Sequence, residues 1–442
     1  MARYAKYSDE YYIAKTLNLA KKAAGFTSPN PMVGSVIVKN KEIIGFGYHK
    51  KAGEPHAEIN ALKMAGDNAK GATLYVSLEP CSHFGKTPPC VESIKQYGIK
   101  RVVAAIKDPN PSVSGNGFQY LESNGIEIKY GILEDKAKKL NEIFLKNITS
   151  NLPFITIKIA ISLDGKIGFL NKNTASNGDT SENTPLYMSS EKSLKYTHNL
   201  RLLHDAIMVS ANTIVIDNPK LNIRYVKNNR NGAKKKFTRI ILDSNLITPL
   251  NSNLFLFKDP TDKVIIFTSF EYSGEKLKRK KMLEQKGAII KEVYYNNNYG
   301  DYLENYLIAG NNFNGNNFIK NKQYKYLDIA EIFKICDEYG ITSILIESGQ
   351  HLFAYIILNN LYDKLVLNIT PYIIGNAGTI DAFDLINFAN LNKLNKLNNN
   401  FPFTNAVKKS LDDLYADKQL IKFKNLDIKK TGDDVFLIYY TE

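Results

Sequence analysis

Three residues that bind soft metals stand in two short motifs, His56-Ala57-Glu58 and Pro80-Cys81-Ser82-His83-Phe84-Gly85-Lys86-Thr87-Pro88-Pro89-Cys90. If one ion takes all three, the chain must bring separate segments to a single point, and few folds do that. One imidazole and two thiolates fill three positions of a tetrahedral zinc site and leave the fourth for water, whereas structural sites close all four with protein. Glu58 is the carboxylate such a water needs as a proton carrier. Pro55 and Gly66 bracket a run with helical spacing, so His56 is predicted in the first turn of a helix. Pro88-Pro89 precedes a second helix from Cys90 to Tyr97, ended by Gly98. Cys90 then sits at a helix N-terminus, where N–H groups and the dipole favour a thiolate. Before Cys81, Thr73-Leu-Tyr-Val-Ser-Leu78 is a strand-like apolar run. The ligands therefore fall where strands hand over to helices, the usual place for sites in open α/β sheets. Cys336, in Ile-Phe-Lys-Ile-Cys-Asp, lies on the apolar side of a predicted helix and reads as core.

An H-x-E followed by a P-C…C pair is the pattern of zinc deaminases, in which a zinc-activated water attacks an amidine carbon of a nucleobase. The motifs thus predict hydrolytic loss of an amino group from a pyrimidine-like or purine-like ring.

With 442 residues the chain has room for two domains with full cores. An apolar fraction of 44% with 11% aromatic suits a globular protein. Apolar runs are too short for a membrane span, and the N-terminus lacks the apolar region of a signal peptide. Two of the three cysteines are assigned to metal, which leaves no disulfide framework and predicts a reducing cytoplasm. The net charge of +14 raises the question of nucleic-acid binding. The lysines, however, are spread among asparagines, isoleucines and tyrosines along the whole length. They read as a solvated surface whose field also favours a phosphorylated small substrate.

Helix and strand signals alternate in two units. The first, residues 1–150, has a helix from Asp9 to Ala24 and strands at Val33–Val38, Ile43–Gly47, Thr73–Leu78 and Arg101–Ile106. The two metal helices lie between them, and a last strand and helix run to about Asn147, predicting an α/β sandwich of mostly parallel strands. Asn151-Leu-Pro153 reads as a linker. The second unit, 153–442, opens on a strand at Phe154–Ser162. More strands are predicted at Ala206–Ser210, Arg239–Asp243, Val264–Thr268, Ser343–Glu347, Lys364–Thr370 and Val435–Tyr440. Asn-rich stretches at about 294–324 and 387–404 read as loop insertions.

Further motifs carry a family resemblance. Thr27-Ser-Pro-Asn-Pro-Met-Val-Gly34, Gly47-Tyr-His-Lys50, Gly53-Glu-Pro-His-Ala-Glu58, the Leu78–Cys90 stretch and Lys107-Asp-Pro-Asn-Pro111 resemble the deaminase domain of the bifunctional riboflavin-biosynthesis deaminase–reductases. The long loop between the cysteines is the specific mark, since cytidine and tRNA adenosine deaminases typically have a far shorter one. Lys158-Ile-Ala-Ile-Ser-Leu-Asp-Gly-Lys166, Arg201-Leu-Leu-His-Asp-Ala-Ile-Met-Val209, Thr213–Arg224, Leu242-Asp-Ser244 and Ile346-Glu-Ser-Gly349 resemble that family's reductase domain. The resemblance implies a cytidine-deaminase-like α/β/α sandwich followed by a dihydrofolate-reductase-like α/β domain.

The same resemblance implies deamination of 2,5-diamino-6-(5-phosphoribosylamino)pyrimidin-4-one to the uracil, then reduction of the ribosyl to the ribityl side chain by NADPH. It places Zn2+ on His56, Cys81 and Cys90, with Glu58 as acid–base. Asn30, His49, His83 and Lys86 match substrate contacts in the first half. In the second, Ala160, Tyr187, Thr213, Asp217, Ser244 and Gly349 match cofactor contacts, and Arg201, Leu221, Arg224 and Glu347 match substrate contacts. Lys158 and Asp217 are the polar groups expected nearest the reacting carbon. The chain departs from the family at Ser348, Ser210 and Tyr187, where glycine, glycine and tryptophan are common. It shows no Gly-x-Gly-x-x-Gly, so the nucleotide cofactor rests on the resemblance alone.

A zinc-dependent tRNA deaminase with a basic RNA-binding second half would account for the charge. It leaves the long inter-cysteine loop unexplained, and the second half carries no recognisable RNA-binding motif. A structural zinc module gives no reason for Glu58. The expected partner is therefore a small phosphorylated pyrimidine, with neither nucleic acid nor membrane. Homo-oligomerisation, NADPH against NADH, and transfer between sites stay open in the sequence.

Overall fold

The computed structural model describes residues 4–82, 88–110, 114–169, 188–230, 233–256, 262–271, 273–295, 327–375, 379–382 and 426–441. His83, Lys86, Tyr187, nearly all of the 294–324 stretch and all of 387–404 lie outside these residues.

Ser8 opens the first helix, α1 (Asp9–Ala20), by accepting the Tyr11 N–H at 3.2 Å, with Asp9 and Glu10 in the first turn. The helix stops short of Ala24 because a 3-10 turn, Lys21–Ala23, takes over. There follow β1 (Gly34–Lys39), β2 (Glu42–Tyr48), α2 (Ala57–Ala65), β3 (Thr73–Val76), α3 (Cys90–Gln96), β4 (Arg101–Ala104), α4 (Asn116–Ser123), β5 (Glu127–Lys129), α5 (Glu134–Leu140) and α6 (Glu142–Ser150). The strand order is β2-β1-β3-β4-β5. The strands β2, β3, β4 and β5 all point the same way, and β1 alone is reversed, antiparallel to both its neighbours. The sheet is thus mostly parallel, as expected, with the one reversed strand set between β2 and β3. Asn40 and Lys41 both have positive φ, 51° and 68°, and a two-residue turn of that kind can only fold the chain back on itself.

Alternate strand residues feed two cores. Ile37, Leu74, Val76 and Val102 pack with α2, α3 and α4, while Val36, Tyr75 and Val103 pack with α1, α5 and α6. The helix α2 lies flush on β2. A Cβ added at Gly45 would stand 2.4 Å from the Ala61 oxygen, and one at Gly47 would stand 2.5 Å from the Ala57 oxygen.

Asn151 ends α6 in the left-handed region, and the second sheet starts at β6 (Phe154–Ile161). Next come β7 (Lys166–Phe169), α7 (Glu191–Leu203), β8 (Ala206–Ser210), α8 (Ala211–Asp217), the short pair β9 (Asn229–Arg230) and β10 (Ala233–Lys234), β11 (Thr238–Leu242), β12 (Lys263–Ser269), α9 (Gly274–Gln285) and β13 (Ala288–Val293). The described chain continues with α10 (Ile329–Glu338), β14 (Ser343–Glu347), α11 (Gln350–Leu358), β15 (Lys364–Ile369), β16 (Thr379–Asp381), β17 (Asp427–Thr431) and β18 (Asp434–Tyr440). Nine strands line up as β13-β12-β11-β8-β14-β6-β15-β18-β17, parallel as far as β15 and antiparallel beyond it. One face carries α10 and α11 over Ile157, Met208 and Ile240, with Cys336 fully buried among them; the other carries α8 and α9 over Ile207, Val209 and Ile241.

Candidate active sites

The strand–helix junctions of the first sheet bring the two motifs together. His56 is the N-cap of α2, with φ −68° and ψ 165°, one residue ahead of the predicted first turn. That extended backbone frees its ring from the helix axis. Its Nδ1 lies 3.2 Å from Cys90 Sγ and 3.5 Å from Cys81 Sγ, and the three ligand atoms all lie within 4.8 Å of one another. Tetrahedral zinc, with bonds of about 2.0 Å to nitrogen and 2.3 Å to sulfur, sets such atoms about 3.5 Å apart, so the donors fit the ion.

Cys90 is the first residue of α3, but its N–H is aimed at the Cys81 sulfur, 3.3 Å away. The start of this helix therefore favours the thiolate of Cys81, where the sequence suggested Cys90. Hydrogen bonding from Cys90, and then from His56, draws the Cys81 thiol down to about 4, while the same contact pushes Cys90 well up. Glu58 stands in the first turn of α2, only 3% exposed, with its carboxyl pushed up to about 7 by burial.

Asn30 and His49 form the wall beside this trio. His49 Nδ1 lies 3.3 Å from the Pro55 carbonyl, which can only accept, so Nε2 is the acceptor for the Asn30 amide at 3.1 Å. Burial lowers the His49 pKa and keeps this neutral tautomer in place. The His49 ring meets the His56 ring edge-on at 5.5 Å.

Glu79 was missed at the sequence level. Buried between β3 and Cys81, it accepts the N–H groups of Asp108, Gly115, Gly117 and Phe118 at 3.0–3.4 Å. A Cβ on Gly117 would stand 2.2 Å from the Pro80 oxygen, so the segment Glu79 gathers presses on the residue before Cys81. The acid inside Leu78-Glu-Pro-Cys81 was the available signal.

In the second half, register places Lys158 of β6 beside Glu347 of β14. Arg201 on α7 donates to both Glu347 oxygens, at 2.6 and 2.8 Å, and to the Asn222 carbonyl at 2.9 Å. Its guanidinium is thus held by acceptors of the protein itself. Burial lowers the Lys158 pKa, and burial brings His198 down to about 3. His198 Nδ1 accepts the Arg224 N–H at 3.1 Å, which holds the exposed Arg224 side chain at the rim of the cluster. The Leu221 side chain is core; its backbone, at φ 43°, gives its carbonyl to Arg239. Asp217 ends α8 at the surface, with its carboxyl raised by desolvation.

The remaining residues suit a dinucleotide. Gly349 is the N-cap of α11, with no side-chain cap, and a Cβ there would meet nothing within 4 Å. Beside it, Ser348 Oγ is buried without a hydrogen-bond partner. An uncapped helix start with a spare hydroxyl fits a phosphate group. Thr213 Oγ1 pairs with Ser210 Oγ at 3.3 Å, and the Ser244 carbonyl is held by Thr268 and Ser269. Ala160 is in register with Asn368, whose Oδ1 is also buried without a partner.

A zinc-binding deaminase centre followed by a second α/β reductase sheet defines an enzyme with two activities, dependent on zinc and on NADPH. Residues 6–106 match the family model of the cytidine and deoxycytidylate deaminase zinc-binding region, and residues 153–405 match that of the RibD C-terminal domain. The chain belongs to the RibD family, the bifunctional deaminase–reductases of riboflavin biosynthesis. It is 37% identical over 372 residues to the riboflavin biosynthesis protein RibD of Aquifex aeolicus, covering 84% of this chain and 89% of that one. A diaminohydroxyphosphoribosylamino-pyrimidine deaminase of Buchnera aphidicola subsp. Schizaphis graminum is 53% identical over 145 residues, 33% of this chain and 99% of that one. Among solved structures, Acinetobacter baumannii RibD (form 1) matches with a TM-score of 0.71 at 28% identity, covering 98% of this chain and 99% of that chain. Among the described residues no helix is long and apolar enough to cross a membrane.

Proposed function

We propose that residues 1–150 deaminate 2,5-diamino-6-(5-phosphoribosylamino)pyrimidin-4-one to the uracil, and that residues 153–442 then reduce its ribosyl group to ribityl. The substrate is a free phosphorylated pyrimidine and not RNA, and the reaction takes place in the cytoplasm. The observation that carries the reading is the convergence of His56, Cys81 and Cys90 beside the buried Glu58.

Zinc supplies Lewis-acid activation of water, and NADPH supplies the reducing equivalent. His56, Cys81 and Cys90 hold the ion. Glu58 takes a proton from the attacking water and returns it to the departing amine, so ammonia leaves and a carbonyl forms. The Asn30 amide, oriented by His49, holds the ring. In the second half Ser348, Gly349, Thr213 and Ser244 hold the dinucleotide. Lys158 offers a proton to the oxygen at the reduced sugar carbon. Glu347, kept ionised by Arg201, accepts from sugar hydroxyls, and the exposed Arg224 is the arginine left for the 5′-phosphate.

The test is NADPH oxidation followed spectrophotometrically with the diamino-pyrimidine, with and without a chelator. Turnover should stop on chelation and return when the deaminated uracil is supplied. Deamination of tRNA in place of the pyrimidine would overturn the reading.

A further inference from the structure

One short stretch of the second half, Arg201–Asp205, touches both halves. Arg201 faces Glu347, whereas Leu202 and Asp205 meet the segment that leads to Asn30. Gly25, at φ 84°, lies so close to the end of α7 that an added Cβ would stand 2.3 Å from the Leu202 oxygen. Ser28 Oγ then donates to Asp205 Oδ2 at 2.7 Å. The same carboxylate oxygen accepts Thr342 N–H at 3.1 Å and Thr342 Oγ1 at 2.8 Å, and Asp205 Oδ1 meets Lys235 Nζ at 3.0 Å. Asp205 N–H donates to Ser343 Oγ at 3.0 Å, at the start of the strand whose far end is Glu347.

Each hydroxyl has one proton to give. Ser28 and Thr342 lie 3.2 Å apart, and with both donating to Asp205 neither can bond the other. The carboxylate is therefore what joins the loop to the second sheet. Beyond Ser28 the chain of contacts is continuous: Asn30 N–H donates to the Thr27 carbonyl at 2.8 Å, the Asn30 amide meets His49 Nε2, and His49 meets Pro55, next to His56.

We propose that Asp205, a residue of the second half, is a positioning residue for deamination in the first, acting through Ser28 to hold the Thr27–Asn30 turn and so the Asn30 amide. The inference rests on the reading of the first site given above. Charge-assisted bonds of this kind are strong, and the anchor is rigid because three other donors fix the same carboxylate from its own half, while the Asp205 N–H is held by Ser343 Oγ.

Ser28→Ala removes only the hydroxyl that reaches across. In the full chain it should raise KM for the diamino-pyrimidine by roughly tenfold. Zinc stoichiometry, kcat for ammonia release and NADPH reduction of the supplied uracil should stay near wild type. Asp205→Ala should give the same split, and the double variant should add little to either single one. If Asp205→Ala does not fold, Ser28→Ala decides alone. An unchanged KM in Ser28→Ala, or an equal fall in both activities, overturns the proposal. Hydrogen exchange over residues 27–33 reads the joint without substrate: faster exchange in Ser28→Ala supports the proposal, and unchanged exchange counts against it. Faster exchange in a chain that releases no ammonia from the pyrimidine contradicts the reading of the first site and leaves only the Asp205–Ser28 hold on the Thr27–Asn30 turn standing.

Discussion

Arg201 grips Glu347 through two parallel hydrogen bonds, Nε to Oε1 at 2.6 Å and Nη2 to Oε2 at 2.8 Å. Burial alone would push the Glu347 carboxyl up, but the guanidinium beside it outweighs burial and holds it at about 2. Arg201→Ala leaves a mostly buried carboxylate without its partner and should cost about 3–5 kcal/mol in urea unfolding. Arg201→Lys keeps the charge and loses the fork. Reduction of the uracil should then fall by roughly tenfold, with ammonia release unaffected. A lysine variant as fast as wild type would show that geometry at Glu347 is unimportant.

Glu58→Gln keeps the shape of the side chain and removes its basicity. Ammonia release should drop by about 10²- to 10⁴-fold while metal analysis still finds zinc. Loss of the metal in this variant would make Glu58 a structural support instead of a proton carrier.

Replacing Glu79 by Ala strands the N–H groups of Asp108, Gly115, Gly117 and Phe118. Each buried orphan costs about 1–3 kcal/mol, so the first half should melt well below the wild-type temperature. Glu79→Gln, which keeps one acceptor oxygen, should recover part of the loss. Equal melting of all three proteins would mean that the segment finds other acceptors.

Acid should destabilise the fold through His204, which is 4% exposed. Its Nδ1–H donates to the Leu200 carbonyl at 2.7 Å and its Nε2 accepts from Thr156 Oγ1 at 2.8 Å, and burial lowers its pKa from 6.5 to about 4. The unfolded chain binds this proton first, so the contribution is complete above about pH 6.5 and shrinks by about 1.4 kcal/mol per unit down to pH 4. Urea titrations at pH 7.5 and 5 should show a larger loss in wild type than in His204→Gln. Parallel losses would assign the acid sensitivity to other groups.

Much of the first half was legible because proline and glycine punctuate it. Pro55, Gly66, Pro88-Pro89 and Gly98 located both helices that flank the metal ligands. The antiparallel hairpin was not legible, since Asn40-Lys41 carries no glycine to announce positive φ. In the second sheet β13 and β17 went unread for a common reason. They are its two edges, and edge strands such as Asp427-Ile-Lys-Lys-Thr431 are polar where inner strands are apolar. Arg201 was legible as a functional type but not in its pairing. The carboxylate that pairs with it lies 146 positions away, and only the fold brings the two together. Asp205 and Ser28, 177 positions apart, were hidden in the same way.

The flush seating of α2 on Gly45 and Gly47 makes the missing side chains a mechanical stop. His56 and Glu58 ride on that helix, while Cys81 and Cys90 come from elsewhere. A single methyl at either glycine would lift histidine and carboxylate together, like a drawer pulled from its frame, and leave both sulfurs behind. The reach of the metal centre is thus gauged by two positions that never touch the metal.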